Sequence, residues 1–210
     1  MSPGPLLALL LAAVPPAAAG ATPAPLAPAA PPGPAKDPVS TVRAAERQVR
    51  LAFQQGGKRT DLLQVGAAFV AWDELARRSL PGRWEKLPAA DLAAFSNALR
   101  TLTEETWLSG LLRPDPLYAF AVFGSDVQGS DAEVRTRFQS GGTQAAVALR
   151  LFRGKDRLWR IVDLSRDGVS IQGGYAQELP GILDQKGIPG LLATLEARRQ
   201  TLVRMRPGNP

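Results

Sequence analysis

The 210-residue sequence contains no cysteine and no histidine. Without cysteine there is no disulfide framework, no thiolate nucleophile and no lipid-anchoring cysteine behind a leader, and the chain places no demand on its redox compartment. Without histidine, the imidazole base of most hydrolases and the usual zinc ligands are missing too. Charge is absent from the first thirty-five positions, where the earliest ionisable side chain is Lys36. There is no long hydrophobic run: "LLALLLAAV", Leu6 to Val14, falls well short of the roughly 20 apolar residues a membrane-spanning helix needs.

What stands at the amino terminus instead is an h-region of signal-peptide length followed by small residues, with A-x-A sites at Ala17/Ala19 or Ala19/Ala21. Residues 1–21 are therefore expected to be a secretory signal peptide. Residues 22–38, rich in Pro and Ala, cannot bury enough apolar surface to offset their ordering entropy and are expected to form a disordered linker. One folded domain is expected over residues 39–205. The net charge of +6 and the isoelectric point near 10.3 come from charges scattered along the chain. That distribution suits an anionic lipid surface or an acidic protein better than nucleic acid.

The first part of the domain has helical spacing. Val42, Ala45, Val49 and Phe53 form one stripe that ends at "QQGGKR". Leu63, Ala67, Val70 and Leu75 predict one second helix, capped by Thr60 or Asp61 and broken at Pro81. A third begins near Pro88 and carries Leu92, Phe95, Leu99, Leu102 and Thr106. After "RPDP" the period falls to two, and "LYAFAVFG", "DAEVRTRFQ", "QAAVALRLF" and "RLWRIVDL" read as a four-stranded antiparallel meander. Further helix is expected from Gly174 to Leu183 and from Pro189 to Val203, joined at "DQKGIPG". The fold class is α+β, with helices on one face of the sheet. Two strands have a face paved with alanine, Ala119 and Ala121 in one and Ala146 and Ala148 in the other. If helices cover that face, it either packs closely or leaves an apolar void.

Candidate chemistry is sparse. Glu104 and Glu105 point about 100° apart on a helix and read as solvated charges. Asp163, among Trp159, Ile161, Val162 and Leu164, is either a base in an apolar pocket or an acceptor for the amides of the following turn, the second being favoured. Ser170 lacks both a nucleophile-elbow context and a base. The glycine clusters form no phosphate-cradling loop, and "GSDVQGSDAE" lacks calcium-loop spacing. No catalytic residue, metal site or cofactor is expected.

Two segments carry a family resemblance. Trp72 to Leu102, "WDELARRSLPGRWEKLPAADLAAFSNALRTL", and Trp159 to Leu195, "WRIVDLSRDGVSIQGGYAQELPGILDQKGIPGLLATL", resemble in order and spacing the MlaC, or toluene-tolerance Ttg2, family. The matching positions are Trp84, Trp159, Asp163, Gly168, Val169, Ser170, Tyr175, Lys186 and Gly187. Where the family often has Asn-Tyr-Arg this chain has Gly174-Tyr175-Ala176, and it has Pro81 in place of a glycine.

The resemblance implies an NTF2-like or cystatin-like fold with an apolar cavity between helices and a curved sheet. It also implies a periplasmic, monomeric, non-enzymatic carrier that binds phospholipid. Its implied partners are an outer-membrane lipoprotein complex and an inner-membrane ABC transporter with an MCE-domain subunit. The cavity candidates are Tyr118, Phe120, Val122, Val134, Phe138, Val147, Leu149, Val169 and Ile171. Two rivals stand beside this reading: an NTF2-like enzyme using Asp163 with Tyr118 or Tyr175 on a hydrophobic small molecule, and a pure interaction module with a filled core.

Overall fold

Helix formation starts where Asp37 accepts the Ser40 amide at 2.9 Å and Pro38 supplies a preset first turn, giving α1, Pro38–Gln54. The computed structural model describes residues 33–111, 118–140 and 143–205. The expected signal peptide and nearly all of the expected linker lie outside those residues, as do the "RPDP" turn and the two glycines of "SGGT". The end of the expected linker is held in place: Ala35 and Lys36 carbonyls accept the backbone and indole N–H groups of Trp159 at 3.0 and 3.1 Å.

The single second helix expected from sequence is two helices, α2 (Arg59–Phe69) and α3 (Trp72–Ser79). Between them Val70 is extended, bridges to Ile161 and is 6% exposed, and the Ala71 amide donates to the Ile161 carbonyl at 2.9 Å. A β-branched residue pinned to a strand in this way cannot continue a helix, so tertiary pairing overrides the local pattern. A 3-10 turn at Trp84–Lys86 leads to α4, Ala89–Leu111, whose Phe95 and Leu99 are fully buried.

The sheet is an antiparallel meander in the order β1 (Ala119–Gln128), β2 (Asp131–Ser140), β3 (Thr143–Arg153), β4 (Trp159–Arg166) and β5 (Val169–Ser170). It has five strands where four were expected. The extra one is a two-residue strand reached through a two-residue turn at Asp167 and Gly168, both with positive φ, the Asp-Gly combination that closes tight hairpins. A strand this short has no readable period.

The alanine face was expected to be a candidate for helix packing, and the structure corrects this. Ala119, Ala121 and Ala146 are exposed, while Val134, Thr136, Val147, Leu149 and Leu151 are buried on the opposite face. The helices cover the face with the larger side chains because it removes more apolar area from water. The adjacent glutamates are also corrected: Glu105 is 4% exposed and ion-paired with Arg59, and Glu104 pairs with Arg100 at 2.8 Å, so neither is a free surface charge.

The last helix, α5, runs from Ile171 to Arg204 and contains one non-helical residue, Gly187, at φ 63°, ψ −176°. That region is open essentially to glycine alone, and it divides the helix into two arms within the expected "DQKGIPG" junction. A Cβ at Gly187 would meet only Pro189 at an ordinary 3.7 Å, so the cost of a side chain there is backbone strain rather than collision. Gly187→Ala is therefore expected to lower stability by about 1–3 kcal/mol, measured by urea denaturation. An unchanged midpoint would show that the kink does not need glycine.

Candidate functional site

The two arms of α5 and the side of α4 enclose a groove of about 950 Å³. Its floor is apolar, with Leu102 from α4 and Ile171 and Tyr175 from the first arm. Ala193, Ala197 and Leu202 line it from the second arm. Leu102 and Tyr175 belong to the main core, and Ile171 and Leu202 pack against it, so the floor of the groove is continuous with the core that the inward face of the sheet helps to build.

The first arm is positioned by Asp163. This carboxylate, 1% exposed within β4, accepts the Ser170 hydroxyl at 2.6 Å and the Gln172 amide at 2.9 Å. Ser170 Oγ in turn accepts the Gly173 amide at 2.7 Å, so the serine caps the helix. A buried anion at a helix amino terminus is stabilised by the unpaired amides and the positive end of the helix dipole. The favoured reading of Asp163 as an acceptor is realised, although its amide comes from α5 itself rather than from the turn.

Across the groove Glu178 on the first arm forms a two-pronged ion pair with Arg198 on the second, one contact being 2.8 Å. Both side chains line the groove. Arg198 holds the Glu178 carboxyl below the usual carboxylate range. A carboxylate depressed in the folded state contributes its stability above its unfolded pKa, and that contribution is lost as pH falls through the folded value. Sequence reasoning missed this pair because the two residues lie on either side of a kink whose angle no periodicity reports.

The family model described as MlaC protein matches residues 41–197. The chain belongs to the MlaC family. Its fold is also that of a solved structure, the phospholipid-binding protein from Ralstonia solanacearum in complex with a phospholipid. The TM-score is 0.68 at 16% identity, over 78% of this chain and 97% of that one. No curated protein matches the sequence.

Of the nine cavity candidates in this MlaC-family chain, Ile171 alone lines the groove. Val134, Val147 and Leu149 are buried on the inward sheet face, and Phe120, Val122 and Phe138 are half-buried against the same core. Tyr118 donates its hydroxyl to Glu46 at 3.2 Å beneath the Arg50 guanidinium, and burial followed by the Glu46 charge raises its pKa. Val169, on the short β5, is 73% exposed. Asp163, Tyr118 and Tyr175 each have their own partners, the last accepting from Thr103 at 3.5 Å, and no hydrogen bond joins any two of them. Among the described residues no cluster of carboxylates could hold a metal ion.

Asp163→Ala should leave the Ser170 hydroxyl and the Gln172 amide without their acceptor, costing about 2–3 kcal/mol. Thermal unfolding with circular dichroism measures this, and a loss below half a kilocalorie would remove Asp163 from its organising role.

Proposed function

We propose that this protein is a phospholipid carrier, with the α4–α5 groove admitting acyl chains to the apolar interior between the helices and the sheet. Membership of the MlaC family over residues 41–197 is the observation that carries the reading. The groove fits it physically. Each buried methylene contributes about 0.8 kcal/mol, so two long chains are held by apolar surface alone and need no catalytic group. The relative of the same fold that was solved with a phospholipid supports the same class of ligand.

The finer reading follows the family. The carrier is exported through a signal peptide over residues 1–21 and tethered by the linker after it. It works in the periplasm as a monomer rather than an enzyme, within an NTF2-like or cystatin-like frame. It exchanges phospholipid between an outer-membrane lipoprotein complex and an inner-membrane ABC transporter bearing an MCE-domain subunit. No helix among the described residues is long and apolar enough to cross a membrane.

Native mass spectrometry of protein purified without detergent should show adducts of phospholipid mass, and the protein should move labelled phospholipid between vesicles. Lipid-free protein without transfer activity would contradict the proposal. Ala197 is exposed on the groove wall, so Ala197→Trp should fold normally while filling the groove and slowing transfer by roughly tenfold or more. Transfer at the original rate would move the chains to another site.

A further inference from the structure

The groove has a chemical direction along its length. Its arms meet at Gly187, and the Glu178–Arg198 pair spans them partway along, with Ile171 and Leu202 near the ends far from the kink. At the kink stands Lys186. Its stem lies across Gly190 on the second arm so closely that any Cβ at Gly190 would overlap it. At the other end lie Leu102, Ile171 and Tyr175, continuous with the core. About 16 Å of helix, at 1.5 Å per residue, separates Tyr175 from Lys186.

The polar groups that line the groove are nearly all committed. The Ser170 hydroxyl donates to Asp163, and Thr106, Thr194 and Thr201 donate to the carbonyls of Leu102, Gly190 and Ala197. Glu178 and Arg198 hold each other. Lys186 is the lining cation that no carboxylate among the described residues neutralises, and it carries three donors. The groove therefore offers free positive charge and free donors at the kink and, beyond the mutually neutralised Glu178–Arg198 pair, apolar side chains at the far end. The ligand complementary to that gradient has an acceptor-only monoanion at one end and hydrocarbon at the other.

We infer that Lys186 binds the phosphodiester of a glycerophospholipid at the kink of α5, with the acyl chains directed toward Leu102, Ile171 and Tyr175. The inference rests on the carrier reading above and adds to it the anionic group, the residue that holds it and the orientation of the lipid. Gly187 and Gly190 have a role in the same site: the first turns the arm and the second leaves room for the lysine stem.

The test measures the affinity of the delipidated full chain for phosphatidylglycerol and for a diacylglycerol with the same chains, in the natural protein, Lys186→Gln and Lys186→Arg. Loss of one charge-assisted hydrogen bond at an exposed site should weaken phosphatidylglycerol roughly three- to tenfold in Lys186→Gln. Diacylglycerol binding should stay unchanged, and Lys186→Arg should restore the phospholipid affinity. Lys186 is exposed, and an unchanged melting temperature in each variant confirms folding.

If Lys186→Gln binds both lipids as the natural protein does, or loses both equally, the lysine assignment is overturned while the carrier reading stands. If the natural protein binds neither lipid, both fall. Inorganic phosphate is the third probe: no displacement of phosphatidylglycerol is expected at comparable concentration, and full displacement would overturn assignment of the site to a lipid.

Discussion

The groove depends on one buried anion. Asp163 stands inside β4 with its carboxylate shut away from water, and it is stable there because the amino terminus of α5 comes to it with an amide and the hydroxyl of the capping serine. The Asp167–Gly168 hairpin turns the chain back so that this meeting can happen. Once the start of α5 is fixed to the sheet, its first arm runs beside α4, and the kink at Gly187 returns the second arm to complete the walls. Removing the carboxylate would take away the acceptor shared by Ser170 and Gln172 at the point where α5 leaves the sheet, with Leu179, Leu183, Leu191 and Leu195 still packing the rest of the helix into the core.

The two faces of the sheet divide the work. The inward face carries Val134, Val147, Leu149 and Leu151 into the core, while the outward face offers alanines, Phe123 at 57% exposure and Arg137 lying over its ring at 5.5 Å. Helices on only one side leave the apolar interior with one helical boundary. The groove lies on the helical side, where Ala193, Ala197 and Gly174 supply little side-chain bulk and Gly190 gives its space to the Lys186 stem. Small residues in the helical arms, not under the sheet, make the room.

Much of this architecture was legible in the sequence, for physical reasons. The period-two runs located β1, β2 and β3 because each buries one face more deeply than the other, while β4, buried on both faces from Ile161 to Asp163, showed as an apolar run between turn residues. The two glycines and the proline of "DQKGIPG" marked the helix break because few residues tolerate that backbone. The Trp159-to-Leu195 pattern placed the chain in its family. What could not be read depended on distant contacts. Val70 leaves the helix because Ile161 binds it, β5 exists because Ser165 and Arg166 pair with it, and Glu105 is buried because Arg59 reaches it. The candidate site shows the same division. The apolar strand residues are inside, or half inside, as alternation requires, with Val169 the exception. Yet the groove is built from helix residues, of which Ile171 alone was singled out as a cavity candidate, because the angle between two arms leaves no trace in local periodicity.

The most direct measurement is photocrosslinking with a phospholipid that carries a reactive group at the end of one acyl chain, followed by mapping of the modified peptides. Labelling should fall on peptides containing Leu102, Ile171 and Tyr175 or on the inward sheet residues behind them. Labelling confined to the alanine face of the sheet, or scattered without preference, would contradict a lipid held between α4 and the two arms of α5.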